Sequence, residues 1–345
     1  LTGTPRPNDS GEYFAQLEFL GKGFSGYPSM TAFKEAHHEI IEINSQTFAG
    51  GEKIIGDKNV DALQEKLVMM SYHVSKEEAI AELPPKTYDS IAVEMTKEQT
   101  KVYKEALEAL KVIIEADAES SEGDARREAM VLQNSLKRML RLSQITCGYY
   151  VTDDQCDDDG NVLIPGAMHK FAVNPKLDAL IEALKEKPLT SKSIVWTNWR
   201  QSIKDITERF DQEGIKHVTV YGSTTQDQRT QAIRDFNEDS SVRVWLGNPA
   251  AGGVGINLLG QSDSHTNCDS MYYYSQDFNA VVREQSEDRC HRRGTRTHVQ
   301  ITDILIPGTI DQQIRTAVVE KRVASIRIAN VLDMLNKLAT YESAA

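Results

Sequence analysis

The sequence predicts an α/β protein that is built on a parallel β-sheet with helices on both faces. From Ser191 onward, short apolar runs rich in β-branched and aromatic residues alternate with segments of helical periodicity. Strands that alternate with helices in this way predict β-α-β units, in which neighbouring strands run parallel. The runs are apolar throughout, as expected for strands that are buried on both faces. The 345 residues are enough for two domains of ordinary size.

The predicted elements follow one another regularly in the second part of the chain. Strands are predicted at residues 193–196, 217–222, 242–247, 271–275 and 299–306. Between the first two strands, Ile203, Ile206 and Phe210 form one apolar face of a helix. Gly214 is placed to end this helix, because glycine readily adopts the left-handed conformation that commonly follows a helix C-terminus. A second helix is predicted over residues 226–237.

The middle of the chain has a different pattern. Residues 97–119 and 129–145 carry apolar side chains at helical spacing, with a polar break between them. A strand is predicted at 87–96, and the prolines of the LPPK segment at 83–86 end any helix before it. The chain is therefore divided into residues 1–96, a helical insertion with an acidic linker at 97–166, and a sheet-containing domain at 167–345.

Composition excludes some classes of protein. Mean hydropathy is −0.45 and no run of 18 apolar residues occurs, which argues against a membrane span. The four cysteines form no C-x-x-C pair, so they predict free thiols and no metal site. The acidic run at 153–162 lacks the spacing of a calcium loop and is interpreted as a solvated turn. The formal net charge is −12, but most of the acidic excess precedes Ser191, so nucleic-acid binding by the second part is not excluded.

The segment QSEDRCHRRGTR at 285–296 carries the strongest chemical pattern. Gln285, Arg289 and Arg292 have the spacing i, i+4, i+7, which places them on one face of a predicted helix. Because guanidinium groups make planar, bidentate contacts with phosphate, this face predicts an anion site. By itself the pattern also fits a solvated, charged helix face. His291, between the arginines, fits a nucleotide contact and a structural contact equally well.

Two further segments follow predicted strands. AAGGVGINL at 250–258 is rich in glycine, which permits close approach of the backbone to a ligand, but it lacks the G-x-G-x-x-G spacing of a dinucleotide-binding loop. YGSTTQDQR at 221–229 begins at another strand end. Because ligands of parallel sheets gather at the C-terminal ends of the strands, a site is predicted at this edge.

The order of these segments resembles the C-terminal half of Swi/Snf-type superfamily-two helicase-like ATPases, including compact phage or bacterial members. The similar segments are, in order, LTGTPRPN, LPPK with MTKEQTKVY, LRLSQITCG, VYGSTTQDQR, AAGGVGINL, QSEDRCHRRG and IPGTIDQQI. The resemblance spans nearly the whole chain and implies a motor of two RecA-like lobes. It makes residues 1–96 the C-terminal remnant of the first lobe, and residues 167–345 the second lobe with its C-terminal helix.

The resemblance also implies roles for individual residues. Arg289 and Arg292 are expected to be arginine fingers that reach the γ-phosphate of ATP, supported by Gln285. The residues expected to couple the bound nucleotide to the DNA-binding face are Gly253, Gly255 and Asn257. The residues expected to contact the DNA backbone are Thr197, Asn198, Gly222, Ser223, Thr224 and Asn248. The residues expected to link nucleotide state to DNA in the first lobe are Thr2 and Thr4.

The implied cofactor is ATP with Mg²⁺, held mainly by the first lobe. The P-loop pattern G-x-x-x-x-G-K-[ST] is absent from the 345 residues, and Gly21-Lys22 is followed by Gly23 and is interpreted as a loop. The chain alone is therefore not expected to hydrolyse ATP. The implied partners are double-stranded DNA, contacted mainly through its phosphate backbone, and the protein's own N-terminal RecA-like lobe. The expected location is the cytoplasm in association with DNA, with no membrane contact.

Some positions depart from the pattern of this family. Asn248-Pro249 stands where the family commonly has Ser-Thr, and Thr295 stands where it usually has glutamine. Two other interpretations stay open: a non-catalytic DNA- or protein-binding module derived from a helicase lobe, and a nucleotide-dependent metabolic enzyme on a doubly wound sheet. The absence of a cofactor fingerprint and of a catalytic dyad disfavours the metabolic enzyme.

Overall fold

The computed structural model describes residues 10–43, 51–72, 74, 76–80, 82–121, 139–152, 155–156, 162–252, 255–277 and 279–319. The helices are α1 (Glu12–Leu20), α2 (Met30–His37), α3 (Val60–Met70), α4 (Lys76–Ala79), α5 (Lys97–Ser121), α6 (139–146), α7 (Pro175–Lys185), α8 (Arg200–Gln212), α9 (Gln226–Glu238), α10 (Pro249–Gly252), α11 (Ala280–Glu287) and α12 (Ile310–Val319). The strands are β1 (His38–Ile43), β2 (Gly51–Asp57), β3 (Lys86–Ala92), β4 (Tyr149–Val151), β5 (Gln155–Cys156), β6 (Val162–Ile164), β7 (Met168–Lys170), β8 (Ser191–Trp196), β9 (His217–Val220), β10 (Val244–Gly247), β11 (Asn267–Tyr273) and β12 (Val299–Leu305). No helix within these ranges is long and apolar enough to cross a membrane.

Six strands form one parallel sheet in the order β3-β12-β11-β8-β10-β9. Strand β8 is buried at all its positions and pairs with β11 on one side and β10 on the other. Two neighbouring parallel strands need a crossover connection that returns the chain to the end of the sheet where the first strand began. Helices supply several of these connections. The predicted α/β class with a parallel sheet and covering helices is confirmed.

The sheet separates two hydrophobic cores, because alternate residues of a strand point to opposite faces. On one face, Val195 packs with α7 and with Phe210 of α8, whose predicted apolar face is buried here. On the other face, Trp196 and Trp245 pack with Phe236 of α9. The alternation of neighbouring residues between the two cores explains why residues 194–196 of β8 and 244–246 of β10 are apolar at every position.

Strand β3 lies at one edge of this sheet, although the sequence interpretation placed it in the remnant of the first lobe. It pairs in parallel with β12 over its whole length, from Lys86 opposite Val299 to Ala92 opposite Leu305. The predicted boundary after residue 96 therefore falls after the first strand of this sheet instead of before it. The local pattern could not show this, because the partner strand lies about 200 residues further along the chain.

A third core joins the helical insertion to the sheet domain. Tyr103 and Leu107 of α5 pack with Met139 of α6 and with Ile310 of α12. The backbone amide of Ile310 also donates a hydrogen bond to the Tyr103 hydroxyl at 2.8 Å. Because these contacts are buried, α6 and the described part of α5 form one packed unit with α12.

A fully buried ion pair lies close to this third core. Lys176 Nζ of α7 is 2.6 Å from Asp311 Oδ2 of α12, and both side chains have no solvent-exposed surface. The Thr146 hydroxyl donates to the other carboxylate oxygen at 2.9 Å. The Lys176 ammonium also lies 5.5 Å from the centre of the Tyr274 ring. The pair therefore ties α12 to α7 and to the end of α6.

The described residues before β3 form a smaller unit. It contains the antiparallel pair β1–β2 and a core in which Phe33 of α2 contacts Phe14 of α1 and Tyr27. Large apolar side chains of this unit are nevertheless exposed, among them Phe19 at 91% and Met69 at 80%. The assignment of this unit to the end of a first RecA-like lobe stays a prediction.

Candidate functional site

Three strands of the large sheet end in polar residues at one edge. Asn198 follows β8, residues 222–224 follow β9, and Asn248 follows β10. These segments share an open cavity of about 260 Å³, lined by Asn198, Arg200, Ile203, Tyr221, Gly222, Ser223 and Asn248. We refer to it as the strand-end cavity. It lies at the C-terminal edge of the parallel strands, where the sequence predicted a site.

The amide side chains of the strand-end cavity are fixed by hydrogen bonds. Asn248 donates from Nδ2 to the Asn198 carbonyl at 3.2 Å, and Asn198 donates from Nδ2 to the Gln276 carbonyl at 3.2 Å. The backbone amide of Asn198 donates to the Ser275 hydroxyl at 2.8 Å. These bonds hold the ends of β8 and β10 and the segment after β11 in one arrangement.

Thr197 is not part of the accessible edge. Its side chain is fully buried, and its hydroxyl lies 3.2 Å from the Ser275 hydroxyl. In this structure the Thr197 hydroxyl is not accessible to a ligand, so its predicted contact with DNA gains no support from the structure and stays a prediction. Through Ser275, which also accepts from the Asn198 amide, Thr197 supports the position of Asn198.

The turn after β9 is closed by its own hydrogen bonds. The Tyr221 amide donates to Thr224 Oγ1 at 3.0 Å, and the Thr224 amide donates to the Tyr221 carbonyl at 2.9 Å. Gly222 has no left-handed φ, and a Cβ built on it would meet no atom within 4 Å. The fold therefore does not require glycine there. The Arg200 guanidinium lies 5.6 Å from the centre of the Tyr221 ring and brings a positive charge to the cavity.

The arginine segment begins in α11 and continues beyond it. Asn279 caps the helix by accepting hydrogen bonds from two backbone amides of the first turn at 3.0 and 3.1 Å. The helix ends at Glu287, so Gln285 lies in its last turn, whereas Arg289 and Arg292 lie in the turns that follow. The predicted single helical face is therefore wrong. Arg289 nevertheless stays beside Gln285, because its Nε donates to the Gln285 carbonyl at 2.8 Å.

Arg289 and Arg292 contact the loop that follows β10 and α10. The Arg289 carbonyl accepts from the Leu258 amide at 3.0 Å, and Arg289 Nη1 donates to the Ile256 carbonyl at 3.5 Å. Arg292 donates from Nη1 to Oδ1 of Asn257. The structure thus brings together both predicted arginine fingers and one of the predicted nucleotide-coupling residues. We refer to these three residues, Arg289, Arg292 and Asn257, as the arginine cluster.

The hydrogen-bond acceptors described for the two guanidinium groups are neutral: carbonyl oxygens for Arg289 and an amide oxygen for Arg292. Burial and the positive charge of Arg292 lower the pKa of Arg289, and the negative charge of Asp288 opposes this effect. A half-buried cation beside a second cation is stabilised by a bound anion. The arginine cluster is therefore suited to bind phosphate.

An ion-pair network that the sequence interpretation did not identify holds α11 in place. Arg283 contacts Asp303 of β12 through both terminal nitrogens, at 2.6 and 3.2 Å, and Glu287 through Nε at 3.0 Å. Arg315 binds the same Asp303 carboxylate at 2.9 Å, and Lys86 lies 3.2 Å from Glu287. The i, i+4 spacing of Arg283 and Glu287 is visible in the sequence. Asp303 could not be assigned to them, because only the fold brings β12 beside α11.

Two residues within the arginine segment make structural contacts. His291 is buried, and its Nε2 lies 2.6 Å from the carbonyl of Pro84 in the segment before β3. The Thr295 hydroxyl accepts from the Arg292 amide at 2.9 Å and lies 2.6 Å from the Cys290 carbonyl. Of the two alternatives for His291, the structure shows the structural contact. Thr295 closes the turn that carries Arg292.

Gly255 is exposed and has a φ of +72°, a conformation that glycine adopts readily. The predicted residues that lie outside the described part of the chain are Thr2, Thr4 and Gly253. Within the described part, no group of three or more His, Cys, Asp or Glu side chains is arranged to hold a metal ion.

Comparison with known families assigns both parts of the chain. Residues 1–151 match the model of the SNF2-related domain, and residues 175–294 match the model of the helicase conserved C-terminal domain. The first part of the chain is therefore similar to SNF2-related domains, and the second part is similar to helicase C-terminal domains. The strand-end cavity and the arginine cluster both fall within the helicase C-terminal match, whereas β3, α5 and α6 fall within the SNF2-related match.

Several curated proteins match nearly the whole chain. It is 23% identical to the TATA-binding protein-associated factor BTAF1 of Arabidopsis thaliana, over 99% of the chain and 18% of that protein. It is 27% identical to the uncharacterized ATP-dependent helicase MG018 of Mycoplasma genitalium, over 91% of the chain and 26% of that protein. It is 26% identical to the DNA repair and recombination protein RAD54B of Homo sapiens, over 93% of the chain and 36% of that protein. The chain therefore spans only a minor part of the length of these relatives.

A solved structure shows the same fold. The C-terminal part of the Fun30 ATPase domain superposes with a TM-score of 0.54 and 19% sequence identity, over 76% of this chain and 99% of that one. The kinship with Swi/Snf-type proteins and the RecA-like sheet, both predicted from the sequence, are confirmed.

Proposed function

We propose that this chain is part of an ATP-driven motor that translocates on double-stranded DNA. Arg289 and Arg292 act as arginine fingers at the γ-phosphate of ATP, with Gln285 in support. The observation that carries the proposal is the arginine cluster, in which two guanidinium groups with neutral acceptors are held beside Asn257.

The chemistry of phosphoryl transfer fits this cluster. Negative charge spreads over the γ-phosphoryl oxygens during transfer, and a fixed positive charge stabilises it. The Nε and Nη1 bonds of Arg289 to carbonyl oxygens orient its guanidinium without neutralising it. An arginine finger contributes a factor of roughly 10³ to 10⁵ to the rate. ATP supplies the transferred phosphoryl group, and the first lobe is proposed to hold its Mg²⁺.

The strand-end cavity is proposed to contact the phosphate backbone of DNA. Its amide and hydroxyl groups are donors for phosphate oxygens, Arg200 supplies a positive charge, and Gly222 leaves room for close approach. Phosphate contacts carry no base-sequence information and weaken as salt rises, so binding should be weakly sequence-specific. The name of the relative RAD54B, a DNA repair and recombination protein, supports a location in association with DNA.

The groups that hold the ATP phosphates and Mg²⁺ are proposed to belong to a first RecA-like lobe outside these 345 residues. The absence of the P-loop pattern from the sequence supports this, as does the small share of the relatives' length that the chain spans. Exposed apolar side chains such as Phe19 and Met69 offer a surface that such a lobe would cover. The 345 residues alone are therefore proposed not to hydrolyse ATP.

A non-catalytic DNA- or protein-binding module is the second candidate, and the missing P-loop pattern favours it. ATP hydrolysis by the full-length protein, measured with and without double-stranded DNA over a salt series, separates the two. Stimulation by DNA that fades as salt rises supports the motor. No hydrolysis under any condition, despite a P-loop in the full-length protein, supports the module.

The arginine-finger assignment has its own test. Arg289→Ala in the full-length protein should abolish turnover and leave DNA affinity largely intact, because the arginine acts on the phosphoryl group. Arg234→Ala changes an exposed arginine of α9 and should retain turnover. A fully active Arg289→Ala protein would overturn the assignment.

A further inference from the structure

Helix α9 begins beside the strand-end cavity. Its first residue follows the turn at 221–224, and Thr225 and Gln228 fix its N-terminus by accepting from each other's backbone amides at 3.0 and 3.3 Å. The helix has 13 residues, which corresponds to about 20 Å. Its last turn therefore lies about 20 Å from this turn along the helix axis, and it carries Asn237.

Asn237 binds the loop of the arginine cluster with both ends of its side-chain amide. Nδ2 donates to the Asn257 carbonyl at 2.8 Å, and Oδ1 accepts from the Gly260 amide at 2.9 Å. The side chain of Asn257 accepts from Arg292, and neighbouring residues of the same loop contact Arg289. One side chain thus fixes two points of the loop on which both arginines rest.

These bonds are not needed to end the helix. Lys192 of β8 is buried, and its Nζ donates to the carbonyls of Phe236 and Asp239 at 2.6 and 2.7 Å. Those bonds satisfy carbonyl groups at the C-terminus of α9 and place a positive charge there, both of which stabilise a helix end. The bonds of Asn237 go instead to backbone groups of residues 257 and 260, outside the helix.

We propose that Asn237 is a positioning residue for Arg289 and Arg292, and that α9 connects it rigidly to the DNA-contacting turn at 221–224. A displacement of this turn on DNA binding is carried along the helix to the loop that orients the arginines. The catalytic consequence rests on the proposed function, whereas the positioning itself does not.

The test compares Asn237→Ala and Asn237→Asp with Gln231→Ala in the full-length protein. Gln231 is a matched control, because it is an exposed amide of the same helix whose Nε2 donates within the helix to Asp235 at 2.7 Å. Amide hydrogen exchange is measured on peptides that cover 256–260 and 289–295. Both peptides should exchange faster in Asn237→Ala and remain unchanged in Gln231→Ala, since only the first loses the bonds to the loop.

The second readout is DNA-stimulated ATP hydrolysis. The kcat of Asn237→Ala should fall roughly five- to tenfold, the size expected when neutral hydrogen bonds are lost. The KM for ATP and the affinity for DNA should stay within about twofold, because no group that binds either is removed. Asn237→Asp keeps the acceptor for Gly260 and loses the donor to Asn257. Its kcat should therefore lie between those of the wild-type protein and Asn237→Ala.

Each outcome decides one part of the inference. Unchanged exchange at 256–260 and 289–295 in Asn237→Ala overturns the positioning, whether or not the wild-type protein hydrolyses ATP. Faster exchange with an unchanged kcat overturns the catalytic consequence. Faster exchange together with an inactive wild-type protein supports the positioning and overturns the proposed motor. If Asn237→Ala does not fold, the same two readouts on Asn237→Asp decide.

Discussion

Replacement of Lys176 by methionine should destabilise the protein by about 3 to 5 kcal/mol, the usual effect of removing one partner of a buried ion pair. Methionine preserves most of the side-chain length and removes the ammonium group that lies 2.6 Å from Asp311 Oδ2. Both side chains are fully buried in the wild-type protein. In the variant, the Asp311 carboxylate loses its ionic partner and keeps the hydrogen bond from the Thr146 hydroxyl. A buried charge without an ionic partner is costly, because water does not replace the lost contact.

Thermal unfolding followed by circular dichroism measures this effect. In a unit of 150 to 250 residues, each kcal/mol lowers the melting midpoint by roughly 2 to 4 °C, so a decrease of roughly 6 to 20 °C is expected. Lys185→Met is the matched control. Lys185 lies on the same helix, 2.6 Å from Glu213, but its side chain is 53% exposed. An exposed pair contributes about 0 to 1 kcal/mol, so the control should melt close to the wild type.

The double variant Lys176→Met with Asp311→Leu tests the cause of the destabilisation. Apolar side chains in place of a buried ion pair are often as stable as the pair, so the double variant should recover most of the loss. A Lys176→Met protein that melts like the wild type would refute the reasoning. A double variant no more stable than the single variant would refute it as well, because the unpaired carboxylate would then not be the cause.

Three further predictions concern the strand-end cavity and a buried thiol. Arg200→Ala should reduce the steepness with which the logarithm of the DNA association constant falls against the logarithm of salt concentration by about 0.9, the effect of one lost phosphate contact. Fluorescence anisotropy titrations at several salt concentrations measure this slope. The control variant Arg234→Ala should leave the slope unchanged. Gly222→Ala should weaken DNA binding without lowering the melting midpoint, because the added methyl group meets no protein atom within 4 Å. A variant whose melting midpoint falls together with its affinity for DNA would contradict this. Burial raises the pKa of Cys147 to about 12, so the thiol stays protonated in the folded protein at pH 8. It should therefore react with a thiol reagent only after unfolding. Rapid modification of Cys147 in the native protein, located by mass spectrometry, would count against its burial.

The centre of the six-stranded sheet could be predicted because β8 and β10 are buried on both faces and therefore contain continuous apolar runs. The predicted starts of strands were less accurate where buried residues are polar. Strand β8 begins at Ser191 and includes Lys192, whose ammonium donates to carbonyls at the end of α9. A buried lysine has no local sequence pattern, since its acceptors belong to a helix that is distant in sequence.

The candidate site could be predicted in composition but not in detail. The sequence order of the segments led to Arg289, Arg292 and Asn257, which the fold does bring together. The end of α11 at Glu287 was missed, because the residues after it form turns that contact the loop after β10. The burial of Thr197 was missed for a similar reason: its partner, Ser275, comes from a different strand end.

The position of β3 has a consequence for the order in which the protein forms on the ribosome. Its partner β12 is synthesised about 200 residues later, so the nascent chain carries an unpaired strand for most of that interval. Lys86 and Asp89 place charges on this strand, which disfavours pairing with other chains. Pairing of parallel strands so far apart in sequence is intrinsically slow. The six-stranded sheet is thus complete only after β12 has been synthesised, and a chain that stops before residue 299 leaves β3 without its partner.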